Sequence, residues 1–153
     1  MVPYDSSKAR ADILEIFRHL LADPSIIANP SRHLAALRAM SDTLPSVLKP
    51  SKEQLETPHY YAIDMLASRS LRDRLMSISP DIAQSFIKAI GSMIGQAEDV
   101  GQILVWGDDP LNEMAWEFSQ PILEDWGWLL GRDWVVRANF WRRQRGATLL
   151  PEW

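Results

Sequence analysis

Apolar residues recur at helical spacing through the first third of the chain. Ile13, Ile16, Phe17 and Leu20 stand at i, i+3, i+4 and i+7, which predicts one buried stripe on a helix starting near Asp5, Ser6 or Ser7 and ending at Asp23-Pro24. Asn29-Pro30 pairs an N-cap residue with proline at the first helical position, and Leu34, Leu37 and Met40 give the next helix its inner face before Pro45 stops it. Residues 41–58 are punctuated by Pro45, Pro50 and Pro58 and predict a connection with at most one helical turn, capped by Ser51 and Gln54. Thr57-Pro58 repeats the cap-plus-proline start. That puts His59, Tyr60 and Tyr61 in the first turn of a short helix through Ile63 and Leu66, followed by another from about Ser70 to Met76.

The strongest start signal is Ser79-Pro80-Asp81, and Ile82, Phe86, Ile87, Ile90, Met93 and Ile94 predict a helix over 80–97, apolar around more than half its circumference. This helix is expected to be central, with the 103–130 stretch packed over it and a second backbone close to Gly91 and Gly95, where glycine costs about 1 kcal/mol relative to alanine. Ile103-Leu104-Val105-Trp106 is too short for a helix and favours β structure; with no second strand candidate, it reads as an extended apolar segment. Ser119-x-Pro121 opens a helix that Gly131 closes, and Asp133 is expected to cap a last helix carrying Trp134, Val135, Ala138 and Trp141 until Gly146. The expected architecture is all-α: a compact single-domain helical bundle of about six helices with one extended apolar insertion, spanning residues 1–153.

At 153 residues, 46% apolar and 24% charged, the composition is that of one globular domain. No apolar run approaches the roughly 20 residues of a spanning helix and the N-terminus has no signal-peptide character, so a cytoplasmic protein with no membrane partner is expected. The absence of cysteine excludes disulfides, thiolate metal sites and cysteine nucleophiles. A net charge of -4 argues against nucleic-acid binding. Residues 98–131 hold eight carboxylates (Glu98, Asp99, Asp108, Asp109, Glu113, Glu117, Glu124, Asp125) and no Lys or Arg, while residues 134–153 carry Arg137, Arg142, Arg143 and Arg145 against Glu152. Four of the seven tryptophans fall in the acidic stretch, so large aromatic surface is interleaved there with carboxylates.

Candidate chemistry is sparse. His59 with Asp64 five residues on, and Asp73 on the next helix, offers a His–carboxylate pair for acid–base work; the plainer reading is a histidine bonded to a neighbouring loop. Asp108-Asp109-x-x-Asn112-Glu113 has the look of an aspartate-rich metal motif, but Pro110 interrupts any helix there, and turn capping accounts for both aspartates. Arg69, Arg72, Arg74 and Lys88 are expected to pair with the acidic 98–125 region, and Arg142, Arg143 and Arg145 to complement the last helix's dipole. The tryptophans serve as core or line an apolar pocket. The histidines His19, His33 and His59 are scattered, and there is no phosphate loop or G-x-S-x-G elbow, so neither metal nor cofactor is expected.

From about residue 44 to 146, the order of motifs resembles the fungal domain of unknown function usually found C-terminal to bZIP-type DNA-binding regions. The matching pieces are Leu48-Lys49-Pro50-Ser51-x-x-Gln54-Leu55, His59 with Ile63-Asp64, Ser70-Leu71-Arg72-Asp73, Leu104-Val105-Trp106-Gly107-Asp108, Trp116-Glu117, Trp126-Gly127-Trp128-Leu129-Leu130 and Asn139-x-Trp141-Arg142. The chain departs from the pattern at Tyr60-Tyr61, where the family has Pro-Trp, and at Asp109-Pro110-Leu111. Residues 1–43 hold only Lys8, Arg10, Arg18, Arg32 and Arg38, so no bZIP basic region is expected. The resemblance implies a stand-alone version of the domain. One expected function is cofactor-free isomerisation or cyclisation of a hydrophobic metabolite in fungal secondary metabolism; the other is an effector-sensing or protein-interaction module derived from a transcription factor. A homodimer is compatible with either. The expected site joins residues 58–67 to 103–130, with His59, Tyr60 and Asp64 as catalytic candidates and Tyr61, Asp73, Trp106 and Trp116 as substrate contacts.

Overall fold

A computed structural model describes residues 6–91 and 103–152. The chain divides into two compact units, Arg10–Ile87 and Lys88–Trp153 together with Met1–Ala9. Nine α-helices and one small sheet occur among the described residues, so the fold is mostly helical, as the periodicity predicts.

In the unit Arg10–Ile87, the first stripe buries Phe17 and Leu20 completely. The helix itself is broken: α1 (Ser6–Ile16) and α2 (Arg18–Leu21) are separated by Phe17, whose φ of -96° and ψ of 18° leave the helical region. Asp23-Pro24 is a start as well as a stop, because the Asp23 side chain accepts the Ser25 N–H at 2.9 Å and caps α3 (Pro24–Ala28). Asn29 caps α4 (Pro30–Met40) as expected, accepting the Arg32 N–H at 3.1 Å. The Ser51–Gln54 capping box of α5 (Lys52–Glu56) is complete: Gln54 N–H donates to Ser51 Oγ at 3.2 Å, and Ser51 N–H donates to Gln54 Oε1 at 3.0 Å.

The helix expected from Thr57-Pro58 does not form. Thr57 closes α5, and a 3₁₀ turn, Tyr61–Met65, begins only after Tyr60. A helix capped by Thr57 would give that residue's carbonyl to the Tyr61 N–H, whereas His59 Nδ1 takes it at 2.8 Å. α6 (Arg69–Met76) follows, capped by Ser68. α7 (Pro80–Gly91) buries Ala83, Phe86 and Ile90, but Ile82, expected on the buried face, is 41% exposed. Residues 92–97 of the expected central helix, with Gly95, lie outside the described residues.

In the unit Lys88–Trp153, Ile103–Val105 has a partner after all. This segment, β1, pairs antiparallel with β2 (Trp116–Phe118) in the register Ile103–Phe118, Leu104–Glu117, Val105–Trp116. All three β2 residues are buried, so β2 lacks the in–out alternation that identifies a strand in sequence. Gly107, at φ 84°, turns the chain away from β1 in a conformation side chains resist. α8 (Gln120–Leu130) is capped by Ser119 and closed by Gly131 at φ 82°; Gly131, rather than Asp133, also stands at the N-cap of α9 (Arg132–Gln144). α9 packs on β2 and on α8, with the Trp134 ring 4.7 Å from that of Phe118.

Candidate functional site

Asp64, 1% exposed on the 3₁₀ turn, is the centre of a buried polar cluster in the unit Arg10–Ile87. Its Oδ2 lies 2.7 Å from His33 Nε2, and its Oδ1 lies 2.6 Å from His59 Nε2 and accepts from Gln54 Nε2 at 3.0 Å. The two imidazoles meet edge to face with centroids 4.8 Å apart. Arg72, buried on α6, extends the network: Nε donates to Gln54 Oε1 at 3.1 Å, and the guanidinium donates to the carbonyls of Val47, Lys49 and Leu66. One network thus ties α4, α5, the 57–60 connection, the 3₁₀ turn and α6.

Hydrogen-bonding roles fix the protons. The Thr57 carbonyl can only accept, so His59 Nδ1 carries hydrogen; Nε2 faces a carboxylate, so it carries hydrogen too, and the ring is an imidazolium. Burial alone would lower the affinity of His59 for its proton, but the hydrogen bond and charge of Asp64, with the Thr57 carbonyl and Glu53, outweigh it and raise the pKa above the ordinary histidine value. Burial alone would likewise raise Asp64. Hydrogen bonds from His33, His59 and Gln54 and the His59 charge overcome it, and the carboxyl is held below its ordinary value.

A groove of about 540 Å³ runs beside this cluster. Pro24, Ile27 and Ala28 of α3 form one wall, Pro58 to Tyr61 a second, and Pro80 and Gln84 of α7 a third. The Tyr60 and Tyr61 rings lie 5.0 Å apart; burial first, then the neighbouring Tyr61, raises the Tyr60 pKa above 10.0, so that phenol stays neutral.

The structure thus brings His59, Tyr60, Tyr61 and Asp64 together, while Asp73 is exposed on α6. Trp106 and Trp116 belong to the other unit, where each indole N–H has a partner: Trp106 donates to Glu117 Oε1 at 3.0 Å and Trp116 to the Pro110 carbonyl at 2.9 Å. Glu117, 2% exposed, is also gripped by both Arg145 guanidinium nitrogens, one at 2.8 Å, with Arg142 at 3.8 Å. Arg137 reaches Glu113 at 3.3 Å. The last helix therefore does more than complement its own dipole: it supplies cations to the acidic stretch, a role the sequence reading gives to residues 69–88.

Sequence reasoning missed His33, Gln54 and Arg72 as members of one cluster. A signal was present: His33 shares the i, i+4, i+7 stripe with Leu37 and Met40, and a polar residue on a buried stripe needs a buried partner.

No helix among the described residues is long and apolar enough to cross a membrane. Neither a curated protein nor a solved structure matches the chain. A family model described as a domain of unknown function, DUF3425, matches residues 30–145, a span that starts before the expected residue 44 and takes in His33 as well as Arg145. With three-quarters of its length covered by that match, the chain belongs to the DUF3425 family.

Proposed function

We propose that the chain is a binding module for an apolar small molecule carrying one or two neutral oxygen atoms, and that it senses or holds this ligand without catalysing its reaction. One observation carries the reading: the charged groups at and beside the groove, His59 and Asp64, are committed to each other, while the walls themselves are otherwise apolar and carry only neutral polar side chains. Both nitrogens of His59 and both oxygens of Asp64 are engaged within the cluster, so acid–base work by either would first have to break the network. The apolar walls of α3 and the prolines offer contact surface, and the Tyr60 and Tyr61 hydroxyls with the Gln84 carboxamide offer neutral donors. Such equipment suits a lipophilic metabolite with a carbonyl or hydroxyl group, as fungal secondary metabolism produces, acting as effector.

The test is to incubate the purified protein with lipophilic extracts and identify retained compounds by mass spectrometry, comparing wild type with Ile27→Arg, which places a charge in the groove. The expected result is retention of unaltered compounds by wild type and their loss in the variant. Equal retention by both would overturn the groove as the site; conversion instead of retention would replace sensing by isomerisation or cyclisation.

A further inference from the structure

The sequence reading finds three scattered histidines and expects no metal, yet the fold brings two of them, 26 residues apart in sequence, onto one carboxylate. His33 and His59 present the same ring nitrogen, Nε2, to Asp64, and one donor atom from each of the three residues lies within 4.8 Å of the others. We propose that His33 Nε2, His59 Nε2 and the Asp64 carboxylate form a binding site for one zinc ion, with a fourth position for water.

The donor set narrows the choice to transition metals, among which zinc is the redox-inert one and iron(II) the competitor to include in the titration. Two imidazoles and one carboxylate, without thiolate, suit zinc, whereas magnesium and calcium want oxygen donors in larger number. The surroundings are those that hold metal ligands in place. A ligating histidine characteristically donates its other N–H to a carbonyl or carboxylate, which fixes the ring, and His59 Nδ1 does so to Thr57 at 2.8 Å. The ligating carboxylate is oriented in turn: Gln54 donates to Asp64 Oδ1 at 3.0 Å, and Gln54 is itself held by the Ser51 N–H and by Arg72. An entry path exists, because His59 lines the groove.

The metal would replace the two Nε2 protons. Tetrahedral donors about 2.0–2.2 Å from zinc stand roughly 3.3 Å from one another. The nitrogens now lie 2.6 and 2.7 Å from carboxylate oxygens while the three donor atoms span up to 4.8 Å, so zinc would require each ring to pull back from the carboxylate by roughly half an ångström and the widest pair of donors to close up. The site does not depend on the proposed function, since zinc uptake is read without any organic ligand and either idea can fail alone.

The experiment uses the full chain stripped with chelator. Zinc is titrated against a chromophoric competitor and cobalt(II) is followed by visible absorption, while the ring nitrogens of all three histidines are followed by NMR. One zinc per chain is expected, with tetrahedral cobalt bands, and with the Nε2 signals of His33 and His59 changing while those of His19 stay put. Gln54→Leu, which leaves all three ligands, should weaken zinc about 10-fold to 100-fold, and His33→Gln more. The wild-type NMR readout does not require any variant to fold. Absence of zinc uptake, a response confined to His19, or equal affinity in wild type and His33→Gln would each overturn the site.

Discussion

Two carboxylates, Asp64 and Glu117, are each almost wholly buried, and the difference between their partners separates the two units of this chain chemically. Asp64 is held by two imidazoles and a carboxamide. Glu117 is held by the Arg145 fork, with Arg142 nearby and the Trp106 indole donating to Oε1; the Arg145 guanidinium also lies over the Trp106 ring, 5.4 Å from its centroid. Guanidinium and indole keep their protons throughout the physiological range, so the Glu117 cluster is a permanent brace. Imidazole gains and loses protons near neutrality and binds metals, so the Asp64 cluster can respond to its surroundings. Burial is the same in both; the donors decide what each can do.

The hardest test of this contrast is removal of the charge at each centre. Asp64→Asn leaves the His59 imidazolium facing a neutral amide in a buried site, and breaking such a pair costs about 3–5 kcal/mol. Glu117→Gln strands Arg145, but the Arg145 side chain is 17% exposed and water can take up part of the loss, so about 1–3 kcal/mol is expected. Chemical denaturation of both variants checks the order. If Glu117→Gln is the more damaging, the brace and not the Asp64 cluster carries the larger electrostatic load.

A second test separates the clusters by pH, on metal-free protein. The folded pKa of His59 is raised above its unfolded value, so its contribution is fully present below pH 6.5 and is lost as pH rises through the folded pKa. The folded pKa of Asp64 is lowered, so its contribution is present above pH 3.8 and is lost as pH falls through the folded value. The stabilising window of the pair therefore lies between these limits and closes on the alkaline side through His59. Thermal unfolding should show midpoints falling between neutral and mildly alkaline pH in wild type, with the slope flattened in His59→Gln and retained in Glu117→Gln. A slope unchanged in His59→Gln would mean that the titrating group lies elsewhere.

Much of this was legible in the sequence, for reasons that differ between the clusters. The charge segregation behind the Glu117 brace is plain in the sequence, with eight carboxylates and no cation in 98–131 and four arginines in 134–153, yet the sequence reading pairs the acidic stretch with residues 69–88 instead. What could not be read was which of them pair, since β2 is three residues long with every residue buried and gave no strand period to place Glu117 indoors. In the Asp64 cluster, the pair His59–Asp64 is local and was singled out by spacing. Its other half reaches 31 residues back to His33 and 18 residues from Gln54 to Arg72, separations that no local pattern reports. The N-caps Asn29, Ser51 and Ser119 were legible because a side chain two or three residues away does the work, but the equally local caps Asp23 and Ser68 were not recognised as starts. The Thr57-Pro58 start failed because a local side-chain hydrogen bond, from His59 two residues on, takes the carbonyl that a helix requires.

The smallest effect asks how the Asp64 cluster is held in place, a matter on which the two clusters also differ. Gln54 belongs to two structures at once: its backbone N–H and Oε1 complete the capping box with Ser51, and its Nε2 donates to Asp64 while Arg72 donates to the same Oε1. The N-terminal cap of α5 is thereby wired to the buried carboxylate through a carboxamide, whereas Glu117 is held by the guanidinium of Arg145 at the C-terminal end of α9. Ser51→Ala removes the side-chain half of the box and should cost about 1 kcal/mol, as cap losses do. If the cap acts only on α5, its effect should add to that of Asp64→Asn within about 0.3–0.5 kcal/mol. If the box also orients Gln54 toward Asp64, the double variant should lose less than the sum by more than that margin, because once the carboxylate charge is gone there is less for the positioned carboxamide to stabilise. Pairing Ser51→Ala with Glu117→Gln supplies the control, and simple additivity is expected there. Coupling with Glu117→Gln as large as with Asp64→Asn would show that the cap acts on the stability of the whole chain and not through Gln54.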